Sequence, residues 1–253
     1  MKRLEVLFTP AEFEALKKRD LGDTICVVFD VLRATSSMVT ALANDATGII
    51  PVQEIVEALE IRYRQPGVLL AGERDGVRIT AELTGKEAFD LGNSPREFAT
   101  EAVKGKTIVM TTTNGTRALR ACAAAHIVLA GSFLNLTATA EFVRLERAAN
   151  VLAVCSGTFE QAAYEDVLIA GALCDSLCEQ DSIREAADSA LMVRRLYQLE
   201  RANLSAAIAQ SRNARRLLGR PELCDDVAFC LQRDRFPLIA ELCKDGMVRK
   251  KEG

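Results

Sequence analysis

Residues 25–36 read Ile25-Cys26-Val27-Val28-Phe29-Asp30-Val31-Leu32-Arg33-Ala34-Thr35-Ser36. Five apolar residues in a row, with no polar alternation, predict a strand covered on both faces. The acid that closes the run, followed by Arg33, Thr35 and Ser36 ahead of a helical stretch, puts polar chemistry at the carboxyl end of that strand, where open α/β sheets bind ligands. The same unit recurs along the chain. Apolar runs at 25–29, 49–52, 68–71, 107–110, 127–130 and 151–154 predict strands, and segments of helical period at 36–44, 54–62, 95–103, 115–123 and 137–148 lie between them. This alternation predicts an α/β fold, a three-layer α/β/α sandwich, with a (β/α)8 barrel as the alternative at this length. Residues 164–232 turn helical, which favours the sandwich and predicts a helical C-terminal subregion packed on the sheet. Residues 1–253 therefore read as one domain, ending in a charged, frayed tail from residue 244.

Composition narrows the function classes. The chain has 253 residues, 49% hydrophobic and 26% charged, enough for a sizeable core, and a net charge of −3. With no basic excess, nucleic acid is not an expected partner. The arginines at 194, 195, 201, 212, 215, 216 and 220 interleave with leucines and read as solvated helix faces. Eight cysteines without a Cys-x-x-Cys pair read as buried thiols of a reducing compartment. No apolar stretch is long enough to span a membrane, and Leu4 to Phe8, interrupted by Glu5, is too short for a signal sequence. The expected location is the cytoplasm, and a homo-oligomer is compatible with the sequence.

Strand ends carry the candidate chemistry. After Asp30 and Arg33 come Ala71-Gly72-Glu73-Arg74, then Asp90-Leu91-Gly92-Asn93-Ser94-Pro95, whose Asn93 or Ser94 suits a helix cap. The run Thr111-Thr112-Thr113-Asn114-Gly115-Thr116-Arg117 offers hydroxyls, an amide, a glycine and a guanidinium at a helix mouth, a cradle for a tetrahedral anion. It lacks the Gly-Lys-Ser/Thr of a nucleotide-phosphate loop. Adjacent Glu165 and Asp166 open an apolar helix and supply the oxygen ligands a hard Mg²⁺ ion prefers. Cys155 has Gln161, not Arg, six residues on, which disfavours a thiolate nucleophile. The single histidine, His126, has no metal-ligand spacing and reads as structural. Arginines, hydroxyls and acids together suit an anionic ester with a metal, and phosphoryl transfer needs that mixture.

These strings, with Val28-Phe29-Asp30-Val31-Leu32-Arg33-Ala34-Thr35 and Glu165-Asp166, resemble in the same order the motifs of the 2-phosphosulfolactate phosphatase (ComB-like) family. The resemblance implies an α/β/α fold with a mixed, largely parallel sheet. It implies a Mg²⁺-dependent hydrolase that converts 2-phospho-3-sulfolactate to 3-sulfolactate and phosphate, a step in coenzyme M formation. It supports Asp30, Glu73 and Arg117 as catalytic residues, Arg33, Arg74, Asn93, Thr113, Asn114, Gly115 and Thr116 as substrate contacts, and Asp30, Glu165 and Asp166 around the metal. The expected partner is a small anionic phosphoester or sulfonate.

Two other readings stand beside it. In a haloacid-dehalogenase-like phosphatase Asp30 would be a covalent nucleophile, but the second acid such enzymes carry two residues on is Leu32 here. A non-catalytic sulfonate- or phosphate-binding protein would have little use for paired acids beside its anion.

Overall fold

The computed structural model describes residues 2–16, 18–180 and 182–251. In chain order the strands are β1 Lys2–Leu7, β2 Thr24–Phe29, β3 Gly48–Val52, β4 Leu69–Arg74, β5 Val77–Arg78, β6 Thr107–Thr111, β7 Ile127–Gly131, β8 Asn150–Cys155, β9 Ile183–Ala186, β10 Ala240–Leu242 and β11 Val248–Lys250. Between them run the helices α1 Phe13–Leu16, α2 Ala34–Ala43, α3 Ile55–Arg64, α4 Ala81–Thr84, α5 Thr100–Val103, α6 Gly115–Ala121 and α7 Leu136–Leu145. They continue with α8 Tyr164–Glu179, α9 Asp188–Glu200, α10 Leu204–Ala209, α11 Arg212–Leu218 and α12 Cys224–Cys230.

The strands form one mixed, mostly parallel sheet in the order β5-β4-β6-β3-β11-β10-β7-β2-β8-β1-β9. It is an α/β fold, as the alternation of elements predicts. Strand β2 is buried along its whole length. Its Ile25, Val27 and Phe29 pack into a core with β1, β7, β8 and the helices α7 to α9. Its Cys26 and Val28 point the other way, to a second core with Met38, Val39 and Leu42 of α2 and Leu119 of α6. The period of two thus splits one apolar run between two helical layers. A third cluster, including Ala58 of α3, Leu70 and Val109, covers the β4-β6-β3 end of the sheet. Helices α8 to α12 contribute Leu168, Val193, Ile208, Leu217 and Val227 to the first core.

Strands β1 and β5 were not expected from the sequence, and β9 interrupts the region 164–232 read as helical; two further features depart from the sequence expectation. The tail from residue 244 is not frayed throughout, because β11 pairs with β10 and β3, with Val248 fully buried. The helix expected at 95–103 is a 3₁₀ turn, Pro95–Glu97, followed by α5. Phe98, between them, is wholly buried, and its carbonyl accepts the Asn44 side-chain N–H at 2.7 Å instead of continuing a helix. All eight cysteines are free. Among the described residues no helix is long and apolar enough to cross a membrane.

The C-terminal hairpin β10–β11 also positions the site. Strands β4, β6 and β3 are mutually parallel, as are β7, β2, β8, β1 and β9, but the hairpin pairs antiparallel with both β7 and β3. The two blocks therefore run in opposed directions across the sheet. Strand twist of roughly 20–25° per step accumulates to about 100° over the four steps from β7 to β6. Opposed directions become crossing ones, and loops after β2 and β6 can meet.

Candidate active site

Loops after β2, β4, β6 and β8 converge with α11 on one narrow polar cavity, lined among others by Asp30, Arg33, Glu73, Asn93, Thr113 and Arg216. Asp30 follows the last residue of β2. Its backbone N–H donates to Thr35 Oγ1 at 3.0 Å, and the Thr35 hydroxyl donates back to the Asp30 carbonyl at 2.9 Å, which turns the chain into α2. Its carboxylate Oδ1 accepts the Ala34 N–H at 3.1 Å. The start of α6 presses on the same carboxylate. A Cβ on Gly115 would lie 2.7 Å from Asp30 Oδ2 and 2.6 Å from Ala34 Cβ, so this approach requires glycine. Burial lifts the Asp30 pKa to about 7. The N–H groups of Ala34 and Gly115 oppose the rise, and the charges of Glu73 and Glu165 add to it.

Glu73 is the penultimate residue of β4, ahead of a two-residue turn, Asp75-Gly76, into β5. Both turn residues have positive φ (53° and 77°), and Arg74 pairs with Val77. This is the I′-like geometry that favours Asp-Gly. The Glu73 carboxylate ties two loops together: Oε1 accepts the backbone N–H and the hydroxyl of Thr113, each at 2.9 Å, and Oε2 accepts the Gly76 N–H at 2.7 Å. Arg33, almost fully buried, donates to Asp226 Oδ2 at 2.6 Å and to the Gly76 carbonyl at 2.8 Å. Asp226, with no exposed surface, also accepts from Ser94 Oγ at 2.6 Å and Arg96 Nε at 2.8 Å.

Behind Asp30 lie two more buried acids from the first turn of α8. Asp166 accepts the N–H groups of Val31 at 2.9 Å and Gly157 at 3.2 Å, pinning the β2 loop to the β8 loop. Burial drives its pKa well up, with Glu165 and Asp30 adding to the rise. Glu165 Oε1 accepts from Asn213 at 2.6 Å, while its buried Oε2 has no partner among the described residues. Two carboxylates pushed up by burial and by neighbouring acids, beside a third with an orphaned oxygen, form a donor set that a hard divalent cation would relieve. Among the described residues no group of three or more His, Cys, Asp or Glu side chains is gathered as a ready cage. Mg²⁺ does not require one, because it commonly keeps several waters and takes only one or two carboxylates.

The family model of 2-phosphosulpholactate phosphatase matches residues 10–245. The chain belongs to that family. A protein of Caldanaerobacter subterraneus described as a probable 2-phosphosulfolactate phosphatase is 39% identical over 250 residues, 97% of this chain and 98% of that one. Proteins of the same description from Pseudothermotoga lettingae and Thermotoga petrophila are 37% and 39% identical, over 98% and 89% of this chain and 99% and 92% of theirs.

The residues that the resemblance to the 2-phosphosulpholactate phosphatase family singles out fall into three groups. Asp30, Arg33, Glu73, Asn93, Thr113 and Asn114 line the cavity. Gly115, Glu165 and Asp166 stand against Asp30 from behind, by steric contact or by charge. Arg74, Thr116 and Arg117 are placed outside the cavity. Arg74 is spent on the carbonyls of Glu73 and Gln53 and on Thr111 Oγ1. The Thr116 hydroxyl closes the first turn of α6 against the Thr112 carbonyl at 3.1 Å. Arg117 turns outward to pair with Glu160 and to lie 5.8 Å over the Phe13 ring.

Sequence reasoning missed the cavity residues Asp75, Gly76, Asn213 and Arg216. For Gly76 the Asp-Gly hairpin signal was present. Asn213 and Arg216 sit three apart on α11 and share a face, in a stretch read as solvated. Arg195, Arg201, Arg212 and Arg215 are indeed exposed, but Arg216 is not.

Proposed function

We propose that this chain is a Mg²⁺-dependent phosphatase that hydrolyses 2-phospho-3-sulfolactate to 3-sulfolactate and inorganic phosphate. Family membership and the descriptions of its relatives support the substrate. The observation that carries the chemistry is the juxtaposition, in one cavity, of a buried carboxylate, Asp30, with the buried guanidinium of Arg33. Asp30, Glu165 and Asp166 would hold the cation, which when bound offsets phosphoryl charge and draws the ester into line for displacement by water.

The side chains themselves supply the rest. Of the three acids only Asp30 lines the cavity, so its carboxylate is the one that water attacking phosphorus meets. That carboxylate can orient the water, take its proton as the P–O bond forms, and pass it to the alkoxide oxygen of the leaving sulfolactate. Arg33 spends two of its five N–H groups on Asp226 and Gly76, and the others are left to steady phosphoryl oxygens. Asn93 lines the cavity, and its buried Oδ1, an acceptor with no partner among the described residues, can hold an O–H of the attacking water. Glu73 is fully engaged with Thr113 and Gly76, so it shapes the cavity wall.

The test is phosphate release from 2-phospho-3-sulfolactate by purified protein with Mg²⁺ and with EDTA. Turnover that depends on Mg²⁺ and falls at least about 100-fold in Asp30→Asn is expected. No release from the wild type, or an unchanged rate in the variant, overturns the proposal.

A further inference from the structure

We infer that Arg216 of α11 binds one of the two anionic groups of the substrate that are not cleaved, the carboxylate or the sulfonate, and thereby selects which phosphoesters the cavity accepts. This rests on the phosphatase reading and adds a specificity residue that family resemblance did not single out.

The inference comes from asking which guanidinium near the cavity has nothing to bind. Arg33 is held by Asp226 and Gly76, Arg74 by Gln53 and Thr111, and Arg117 by Glu160. Arg216 lines the cavity with Asp30 and Glu73, yet forms no ion pair with any described residue, and its buried Nε has no hydrogen-bond partner among them. The Arg216 side chain is half-buried, and its Nε–H is withdrawn from water without an acceptor, which is destabilising. A side chain kept in that condition at the wall of a polar cavity is completed by a ligand.

Its position identifies which part of the ligand. The guanidinium carbon lies 3.5 Å from where a Cβ on Gly76 would stand, so the side chain rests on the bare Asp75-Gly76 turn. Glu165 and Asp166 do not line the cavity, whereas Arg216 does, so a cation held behind Asp30 would draw the phosphoryl group to that side and leave Arg216 to the rest of the ester. Rotation of α11 is set by Asn213, one turn earlier on the same face, which donates to Glu165 Oε1 at 2.6 Å and Thr158 Oγ1 at 2.8 Å. That clamp aims Arg216 into the cavity. A planar fork of N–H donors matches two oxygens of a carboxylate or a sulfonate, and 2-phosphosulfolactate carries one of each beside its phosphate.

The experiment compares wild type, Arg216→Gln and Arg216→Lys on three esters: 2-phospho-3-sulfolactate, 2-phospholactate (no sulfonate) and 2-(phosphonooxy)ethanesulfonate (no carboxylate). Arg216→Gln should lower kcat/KM on the full substrate by about 10- to 100-fold, chiefly through KM. It should do the same on the analogue that keeps the group Arg216 binds, and change kcat/KM little on the one that lacks it. Arg216→Lys should follow the same pattern with a smaller loss. An equal loss on all three esters, or none on any, overturns the inference. Should the wild type release phosphate from none, the phosphatase reading fails separately, and binding decides the role of Arg216. A thermal midpoint raised by 3-sulfolactate in the wild type but not in Arg216→Gln supports it; equal shifts, or none, overturn it.

Discussion

At the scale of the residue, Asp30 concentrates the conflict between stability and function. An acid that titrates near 3.9 in an unfolded chain is held at about 7 when folded. Between those values the folded state binds the extra proton, so this contribution to stability is greatest below about pH 4 and falls as pH rises toward 7. Asp166 shifts in the same direction. Metal-free protein should therefore lose stability from this pair between acid and neutral pH. In EDTA at pH 8, Asp30→Asn should raise the thermal midpoint, by about 2–4 °C for each kcal/mol relieved. Differential scanning calorimetry at pH 5 and pH 8 measures it, and a lower midpoint for the variant at pH 8 contradicts the account. Asp30 was legible in the sequence because an acid closing a buried strand has one place to go. Arg117 was legible as an arginine at a helix mouth, but its direction is decided by Glu160 and Phe13, which are distant in sequence.

At the scale of the element, α12 reaches the site without touching substrate. Its Asp226 gathers Arg33, Ser94 and Arg96, joining the β2 loop and the Asn93 turn. Removing its charge leaves Arg33 buried and unpaired, a loss of about 3–5 kcal/mol for a broken buried pair. Asp226→Asn should lower the urea midpoint, and it should reduce kcat through a mispositioned Arg33. Asp226→Glu should restore more kcat than Asp226→Asn does. Identical kinetics in Asp226→Asn and wild type would remove the positioning role. The strands β2, β3, β4, β6, β7 and β8 and the helices α2, α3, α6 and α7 were legible because apolar runs and helical periods are local, whereas β1 and the break in the helix expected at 95–103 were not. The β4–β5 hairpin escaped because its two-residue second strand is too short to show a period. Only the Asp75-Gly76 dipeptide announces it.

At the scale of the whole molecule, the C-terminal hairpin closes the sheet. It pairs with β7 on one side and β3 on the other, so a chain ending at residue 238 would leave both as open edges amid apolar core. Such a truncation should be insoluble or aggregated by size exclusion and inactive. A monodisperse, active product would show that the two blocks hold together without the hairpin. Local pattern by itself determined the α/β class, the buried strands and the polar residues that end them, since hydrophobic period and strand termini are properties of neighbouring residues. Only tertiary structure decided that two opposed parallel blocks join through the chain's last strands, that Arg33 and Arg216 face the cavity while Arg74 and Arg117 do not, and that acids 136 residues apart share one charge balance. Those outcomes depend on sheet twist and on long-range partners competing for each guanidinium, and no stretch of contiguous sequence contains that competition.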